Sequence, residues 1–227
     1  MSPVFFRVSF IVLFCALTGL RVYYKLRAGL LRERIYARDE KLGFILFRSV
    51  IGVPLLWAVF AYAFIPGGFP WMYTPLPWWL RLVGILFGVG AIALLVWVHQ
   101  SLGENFSTSL APRQTHRMIT AGPYAWVRHP MYSAYFTLFV SAFLISENWL
   151  AAVTGLSIIG MLMTVRRVYE EALLVERFGE AYRSYRGATG MFAPRLTTIL
   201  GNGLPSAVGA KNPEERGFRV SAGSDGP

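Results

Sequence analysis

Long apolar runs alternate with short polar or basic segments along this chain of 227 residues. A helix needs about 20 mostly apolar residues to cross the hydrocarbon core of a bilayer. Five runs come near that length, and we predict a transmembrane helix in each, over residues 4–20, 44–65, 78–98, 131–145 and 149–165. The last two are separated only by Ser146, Glu147 and Asn148, which predicts a tight helical hairpin over 131–165. The predicted fold class is therefore all-α, an integral membrane bundle of five transmembrane helices.

Basic residues in the loops predict the orientation of this bundle, because cytosolic loops carry an excess of Lys and Arg. The segment 21–41 holds seven such residues, the loop 66–77 holds none, and nine follow residue 165. This pattern predicts an N-terminus outside the cell, with the loop 99–130 and the C-terminus in the cytosol. At the outer interface we expect a belt of aromatic side chains, formed by Trp71, Tyr73, Trp78, Trp79 and Trp149.

The composition agrees with a membrane protein and excludes several other classes. Apolar residues make up 55% of the chain and charged residues 15%, against about 25% charged in a typical soluble domain. One soluble core of this size could not bury so much apolar surface. The net charge of +10 is concentrated in the basic loops, so we predict no nucleic-acid partner. Cys15 is the single cysteine, which excludes an intramolecular disulfide and a cysteine-based zinc site, and we predict no bound metal.

The chain divides into three parts on this reading. Residues 1–98 would form three N-terminal transmembrane helices, and residues 99–196 a core made of a cytosolic loop, the hairpin 131–165 and a post-span helix over 166–186. The first run is predicted to be an uncleaved helix rather than a signal peptide, because basic residues follow it without a small-residue cleavage site. Gly, Ser, Ala and Pro become frequent after residue 196, which predicts a disordered tail over 197–227.

The loop before the fourth span carries a polar motif, Gly-Pro-Tyr-Ala-Trp-Val-Arg-His-Pro-Met-Tyr over residues 122–132. Pro130 favours a helix that starts there and excludes helical geometry at the preceding residue. Arg128 and His129 are therefore expected at the N-terminal mouth of the fourth span, where free N–H groups can bind an anion. The alternative is that both side chains only anchor the helix at the lipid headgroups.

The helix that follows the fifth span carries a second group of charged residues. Its apolar positions recur at helical spacing, while Arg166, Glu170 and Arg177 lie together on another face. They could form a solvated network of ion pairs, which adds little stability. They could also bind a zwitterionic or doubly charged ligand, because this face begins at the edge of the bilayer.

Both motifs resemble the signatures of the isoprenylcysteine carboxyl methyltransferase family. The second signature comprises Glu170-Glu171, Leu173, Phe178-Gly179, Tyr182 and Tyr185. Phospholipid methyltransferases and other membrane methyltransferases share parts of both, and the similarity covers about residues 102–195. Ala134 stands where a glycine is frequent in the family, and the segment 187–194 keeps one proline of a turn that often carries two.

The resemblance implies S-adenosylmethionine as the cofactor, bound on the cytosolic side between the loop and the post-span helix. Arg166 would position the carboxylate of the substrate, and Arg128 is the second candidate catalytic residue. The cofactor-binding residues that the resemblance implies are His116, Arg117, Met118, Ile119, Tyr124, His129, Pro130, Met131, Tyr132 and Glu170.

Three functions stay open from the sequence. The first is O-methylation of isoprenylcysteine or a similar lipophilic carboxylate, which would reach the site from the bilayer. The second is N-methylation of an amine headgroup of a phospholipid. The third is a membrane scaffold or transporter without cofactor chemistry, although no internal repeat typical of transporters is visible in the sequence.

Overall fold

The computed structural model describes residues 2–27, 42–103 and 118–196. Within these ranges the regular structure is helical, with two isolated β-bridges and no strand. Two short 3₁₀ turns, Pro70–Met72 and Gly122–Ala125, and a π-helical turn at Leu162–Arg166 interrupt or join the α-helices. The α-helices are α1 Pro3–Arg27, α2 Leu42–Phe64, α3 Trp78–Leu102, α4 Pro130–Ser146, α5 Trp149–Met161, α6 Arg167–Phe178 and α7 Glu180–Ala188. The all-α prediction is confirmed for the described part of the chain.

Among the described residues, three helical stretches are long and apolar enough to cross a membrane: Pro3–Arg27, Trp78–Leu102 and Trp149–Phe178. They correspond to the first, third and fifth predicted spans, so the chain is an integral membrane protein. The second and fourth predicted spans form shorter apolar helices, over Ser49–Phe64 and Pro130–Ser146. The predicted tail over 197–227 lies outside the described residues.

The helix starts follow the local sequence. Pro130 is the first residue of α4, and His129 before it has non-helical dihedrals (φ −123°, ψ 58°), as predicted. Asn148 caps α5 by accepting a hydrogen bond from the backbone N–H of Ala151. Between these helices Glu147 has φ 60°, so a single left-handed residue reverses the chain and closes the hairpin.

Helices α3 and α4 run antiparallel and approach each other closely at Gly84. A Cβ there would lie 2.7 Å from the Cβ of Leu144, so a larger residue would force the helices apart. Because Gly84 has no side chain, α4 can approach closely enough for the Ser141 hydroxyl to donate a 2.7 Å hydrogen bond to the Gly84 carbonyl. This contact is typical of small residues at helix interfaces in membranes.

An ion pair closes the end of the bundle where α3 begins and α4 ends. Arg81 lies 3.0 Å from the Glu147 carboxylate and also donates to the carbonyl of Ile145. Its guanidinium carbon stands 4.0 Å from the ring centre of Phe6 in α1. The other carboxylate oxygen of Glu147 accepts from the backbone N–H of Leu76 at 2.8 Å. These contacts join three helices and one loop at this end.

The single post-span helix predicted over 166–186 is two helices in the structure, α6 and α7, which meet at Gly179. The π turn Leu162–Arg166 joins α5 to α6, so the helical stretch continues without a break from the fifth span to Phe178. Gly179 then ends it with φ 53° and ψ −127°, and α7 begins at the next residue. Residues that carry a side chain rarely adopt this backbone conformation, which explains why the break falls on a glycine.

Candidate active site

The N-terminus of α4 meets α6 at the end of the bundle opposite Arg81. The 17 residues of α4 separate the two ends by about 25 Å at about 1.5 Å per residue. Arg128 and His129, the residues at the predicted mouth of the fourth span, are both buried there, with 9% and 6% of their surface exposed. Burial of an arginine and a histidine requires hydrogen-bonding or charged partners, and a glutamate of α6 supplies them.

Glu171 on α6 is the centre of these contacts. Its Oε1 atom accepts from Nε of Arg128 at 3.2 Å and from Nε2 of His129 at 3.0 Å. Arg167, one turn earlier on the same helix, lies 3.7 Å from its Oε2 atom. Glu171 is itself buried, so a carboxylate shielded from water is satisfied by three cationic or N–H groups.

Arg128 also binds the chain that follows α6. Its NH1 atom donates to the carbonyls of Arg186 at 2.9 Å and Thr189 at 2.6 Å. Carbonyls at the end of a helix have no intrahelical donor, and a basic side chain commonly satisfies them. Arg128 therefore ties α6, through Glu171, to the C-terminal end of α7.

Residues 189–192, which we call the strap, lie along the start of α4. The backbone N–H groups of Arg128 and His129 donate to the carbonyls of Gly190 at 2.8 Å and Met191 at 3.0 Å. The Ser133 hydroxyl donates to the carbonyl of Phe192 at 2.6 Å. These bonds fix the strap against the helix mouth through backbone groups.

Tyr132 and Glu170 form the more open side of this cluster. The Tyr132 hydroxyl donates a 2.9 Å hydrogen bond to Oε2 of Glu170, and its ring stacks on His129 with a centroid distance of 5.5 Å. Nδ1 of His129 lies 4.0 Å from the same Glu170 oxygen. The Glu170 side chain is 42% exposed against 9% for Glu171, so Glu170 is the carboxylate that a ligand can reach.

Tyrosine side chains from two other segments surround the cluster. The Tyr185 hydroxyl on α7 donates to the backbone carbonyl of Tyr124 at 2.6 Å. Burial raises the pKa of Tyr124 above its ordinary value, and the negative charge of Glu170 raises it further. Burial likewise raises the pKa of Tyr182 and of Tyr185. All three phenols are therefore neutral near neutral pH.

Arg166 is the last residue of the π turn and is half-buried. Burial raises the pKa of the Tyr132 hydroxyl, and the positive charge of Arg166 partly offsets this rise. Arg166 stands four residues before Glu170, a spacing that places two residues on one face of a helix.

The structure brings together residues from both sequence motifs. His129, Tyr132 and Glu170 are in contact, Arg166 and Tyr124 are near them, and Pro130 and Met131 form the first residues of α4. Met118 and Ile119 are half-buried in the non-helical segment before Ala121. His116 and Arg117 lie outside the described residues. Within the described ranges no group of three metal-ligating side chains is present.

Sequence reasoning missed the central role of Glu171, the strap and Arg167. The spacing of Arg167 and Glu171 at i and i+4 was a usable signal for an ion pair. The strap acts through backbone carbonyls, and these leave no trace in residue type.

A cavity of about 520 Å³ opens on the α7 side of this cluster. It is lined by Arg167, Val168, Glu171, Ala172, Val175, Glu176 and Arg186. Glu171 therefore borders both the cavity and His129, whereas Glu176 borders the cavity and is exposed.

Comparison with known proteins confirms the resemblance to the isoprenylcysteine carboxyl methyltransferase (ICMT) family. The sequence model of this family matches residues 83–176, which include the first motif and the start of the second. The protein-S-isoprenylcysteine O-methyltransferase of Schizosaccharomyces pombe is 31% identical over 86 residues, which are 37% of this chain and 36% of that protein. The enzyme of the same name from Homo sapiens is 29% identical over 110 residues, or 48% of this chain and 39% of that one. The matched part thus spans well under half of these curated relatives.

The fold is similar to that of the eukaryotic intramembrane Ras methyltransferase ICMT (isoprenylcysteine carboxyl methyltransferase). The solved structure of that protein aligns with a TM-score of 0.51 and 18% sequence identity. The alignment covers 82% of this chain and 67% of that chain. At this identity the likeness concerns the helical architecture alone.

Proposed function

We propose that this protein is a membrane methyltransferase that uses S-adenosylmethionine to esterify the carboxylate of isoprenylcysteine or a similar lipophilic acceptor. One observation carries the proposal: Tyr132 and Glu170, 38 residues apart in the sequence, are hydrogen-bonded beside His129. These residues come from the two separate motifs that resemble the methyltransferase family. They meet at the end of apolar helices, where a lipid-anchored substrate would arrive.

The cluster fits a ligand such as S-adenosylmethionine, which carries a sulfonium, an ammonium and a carboxylate. The half-exposed carboxylate of Glu170 suits a positive group, and the rings of Tyr132 and Tyr124 can attract a cation through their faces. When bound, the cofactor supplies an electrophilic methyl group. Pro130 and Met131 would continue this pocket at the start of α4, and His116, Arg117, Met118 and Ile119 are proposed to close it.

A carboxylate acceptor requires orientation rather than deprotonation. Its pKa in water is about 4, so it is ionised at neutral pH and needs no general base. Arg166 can bind it through two parallel N–H bonds, which fix its direction as well as its position. Holding two reactants in line accounts for much of the rate gain in such a displacement. Arg166 is therefore the residue we assign to the acceptor.

Arg128 was expected to be catalytic, and its contacts favour another role. Its Nε and NH1 atoms bind Glu171 and two backbone carbonyls, and its side chain is 6% exposed. A ligand could reach it only after these bonds were broken. We therefore propose that Arg128 holds the helix mouth and the strap together.

We further propose that all five predicted spans cross the membrane and that the site faces the cytosol. The 23 residues of α2 would measure about 34 Å at about 1.5 Å per residue, enough for a bilayer core. Trp71, Trp78 and Trp79 are exposed at the end of the bundle near Arg81, as expected for an interfacial aromatic belt. That end is opposite the site, which agrees with the charge pattern of the loops.

N-methylation of a phospholipid amine is the competing function. A protonated amine would need a base, and Glu170 with His129 could serve, because His129 Nδ1 and Glu170 Oε2 lie 4.0 Å apart and the Glu170 side chain is 42% exposed. The two functions differ in the stability of the product: mild alkali cleaves a methyl ester and releases methanol, whereas an N-methyl group survives.

The experiment supplies membranes that contain the protein with methyl-labelled cofactor and either farnesylcysteine or phosphatidylethanolamine. We expect labelled product from farnesylcysteine that releases volatile label in alkali. Alkali-stable label on the phospholipid would replace the proposal with the amine function. Failure of the purified protein to bind the cofactor at millimolar concentration would favour a scaffold or transporter.

A further inference from the structure

Two adjacent glutamates on α6 face the mouth of α4, and they differ in environment. Glu170 is half-exposed and binds the Tyr132 hydroxyl, whereas Glu171 is buried and binds His129, Arg128 and Arg167. The Oε1 atom of Glu171 is occupied by Arg128 and His129. A ligand held beside Glu170 therefore meets Glu171 through the His129 ring that lies between the two carboxylates.

The contact with His129 limits which nitrogen of that ring carries the proton. A carboxylate only accepts hydrogen bonds, so Nε2 of His129 must donate across the 3.0 Å to Glu171. In the neutral ring Nδ1 then carries the lone pair. That atom is the one that lies 4.0 Å from Oε2 of Glu170, whose side chain is 42% exposed. By binding Nε2, Glu171 leaves Nδ1 of His129 as a second hydrogen-bond acceptor beside the Glu170 carboxylate.

The other neighbours of His129 hold the ring but leave its tautomer undetermined. Tyr132 and Phe192 pack on it with centroid distances of 5.5 Å and 6.0 Å, and Met191 binds its backbone N–H. None of these contacts involves a ring nitrogen. Among the described residues, the choice between Nδ1 and Nε2 is therefore left to Glu171 and Glu170.

We infer that Glu171 is a positioning residue, which fixes the tautomer and orientation of His129 so that its Nδ1 atom and Glu170 together accept a cationic N–H donor of the cofactor. The inference rests on the proposed function, because it gives His129 a place in the cofactor site. Ammonium groups are donors of the kind that two adjacent acceptors bind. On the Glu170 side, Glu171 acts on the cofactor through His129.

A double-mutant cycle between Glu171 and His129 tests this dependence, since it isolates the coupling between two residues. The measurement is the affinity for S-adenosylhomocysteine, together with the KM for farnesylcysteine and the melting temperature. Glu171→Gln keeps the volume, but its amide can turn either O or NH₂ toward His129 and so permits either tautomer. We expect an affinity loss of about fivefold, the size of one hydrogen bond, with the acceptor KM unchanged.

In a His129→Ala background the same Glu171→Gln change should alter cofactor affinity less than twofold. Equal losses in both backgrounds would overturn the inference, as would wild-type affinity in the folded single variant. If Glu171→Gln does not fold, Glu171→Asp takes its place in the cycle, because it keeps the charge for Arg128 while withdrawing the carboxylate from His129. The Glu171→Asp cycle is then judged in the same way: a loss of cofactor affinity that depends on His129 supports the inference, and equal losses in both backgrounds overturn it.

Glu176→Gln is the matched control. Glu176 borders the same cavity from the same helix but makes no described contact with His129, so this variant should bind S-adenosylhomocysteine as the wild type does. A loss in Glu176→Gln equal to that in Glu171→Gln would assign the effect to the cavity and overturn the inference. Absence of cofactor binding by the wild type would instead contradict the proposed function, and the inference with it.

Discussion

The hydroxyl of Tyr132 on α4 donates a 2.9 Å hydrogen bond to the Glu170 carboxylate on α6. Tyr132→Phe removes this bond but keeps the ring that stacks on His129. We expect cofactor affinity to fall several-fold, since one hydrogen bond contributes about 1 kcal/mol. Calorimetric titration with S-adenosylhomocysteine measures the change. Tyr135→Phe on the same helix is the control, and an equal loss there would remove the special role of Tyr132.

Arg166→Lys tests the contact with the acceptor. Lysine keeps the positive charge but loses the planar pair of N–H groups that can hold a carboxylate at two points. We expect a higher KM for farnesylcysteine and a lower kcat, with cofactor affinity changed less than twofold. Full turnover by Arg166→Ala would take Arg166 out of the proposed mechanism.

Glu147→Ala should destabilise the end of the bundle opposite the site. The change leaves Arg81 without its carboxylate and Leu76 without an acceptor for its N–H. Loss of partners at half-buried groups costs about 1–3 kcal/mol, which should lower the melting temperature in detergent. The pair of Glu180 and Arg183 is exposed on α7, so Glu180→Ala should leave the melting temperature nearly unchanged. Equal melting temperatures for the two variants would contradict this expectation.

Gly190→Ala should displace the strap. A Cβ at this position would overlap the backbone carbonyl of Ala193, so the backbone must move and the bond from Arg128 N–H to Gly190 must weaken. We expect reduced cofactor affinity and a lower melting temperature. Gly187→Ala meets nothing within 4 Å, and in a helix alanine is favoured over glycine, so this control should be neutral or slightly stabilising. If Gly190→Ala also behaves neutrally, the strap has no part in the site.

Reporter fusions check the proposed orientation. Gly67 is exposed, with open space around it, and is therefore a permissive point for insertion. A reporter that is active only in the cytosol should be silent there and active at the C-terminus. The reverse pattern would place the site on the outer side of the membrane.

The sequence predicted the helices better than the contacts between them. The predicted spans that begin at residues 78, 131 and 149 agree to within one residue with the starts of α3, α4 and α5. Pro77, Pro130 and Asn148 mark these starts, and proline and cap residues act locally. The break at Gly179 was missed because the helical spacing of side chains continues on both sides of it, and only the positive φ of the backbone marks the break.

The candidate site was predicted in part for a similar reason. His129, Tyr132 and Glu170 lie together, as the motif resemblance implied. The choice between Glu170 and Glu171 depends on how α6 is rotated about its axis. Helical periodicity gives that rotation only for an uninterrupted α-helix, and the π turn before Arg167 interrupts it.

The π turn also sets the angular relation between the two halves of one long helix. Each residue of an α-helix advances by about 100° around the axis. The wider π turn at Leu162–Arg166 accommodates one extra residue while the helical stretch continues from α5 to α6. The lipid-facing side of α5 and the site-facing side of α6 therefore need not lie in line. Deleting one residue in this turn would leave the composition and length of the span almost unchanged. It would nevertheless rotate the two glutamates by more than a quarter of a circle away from His129.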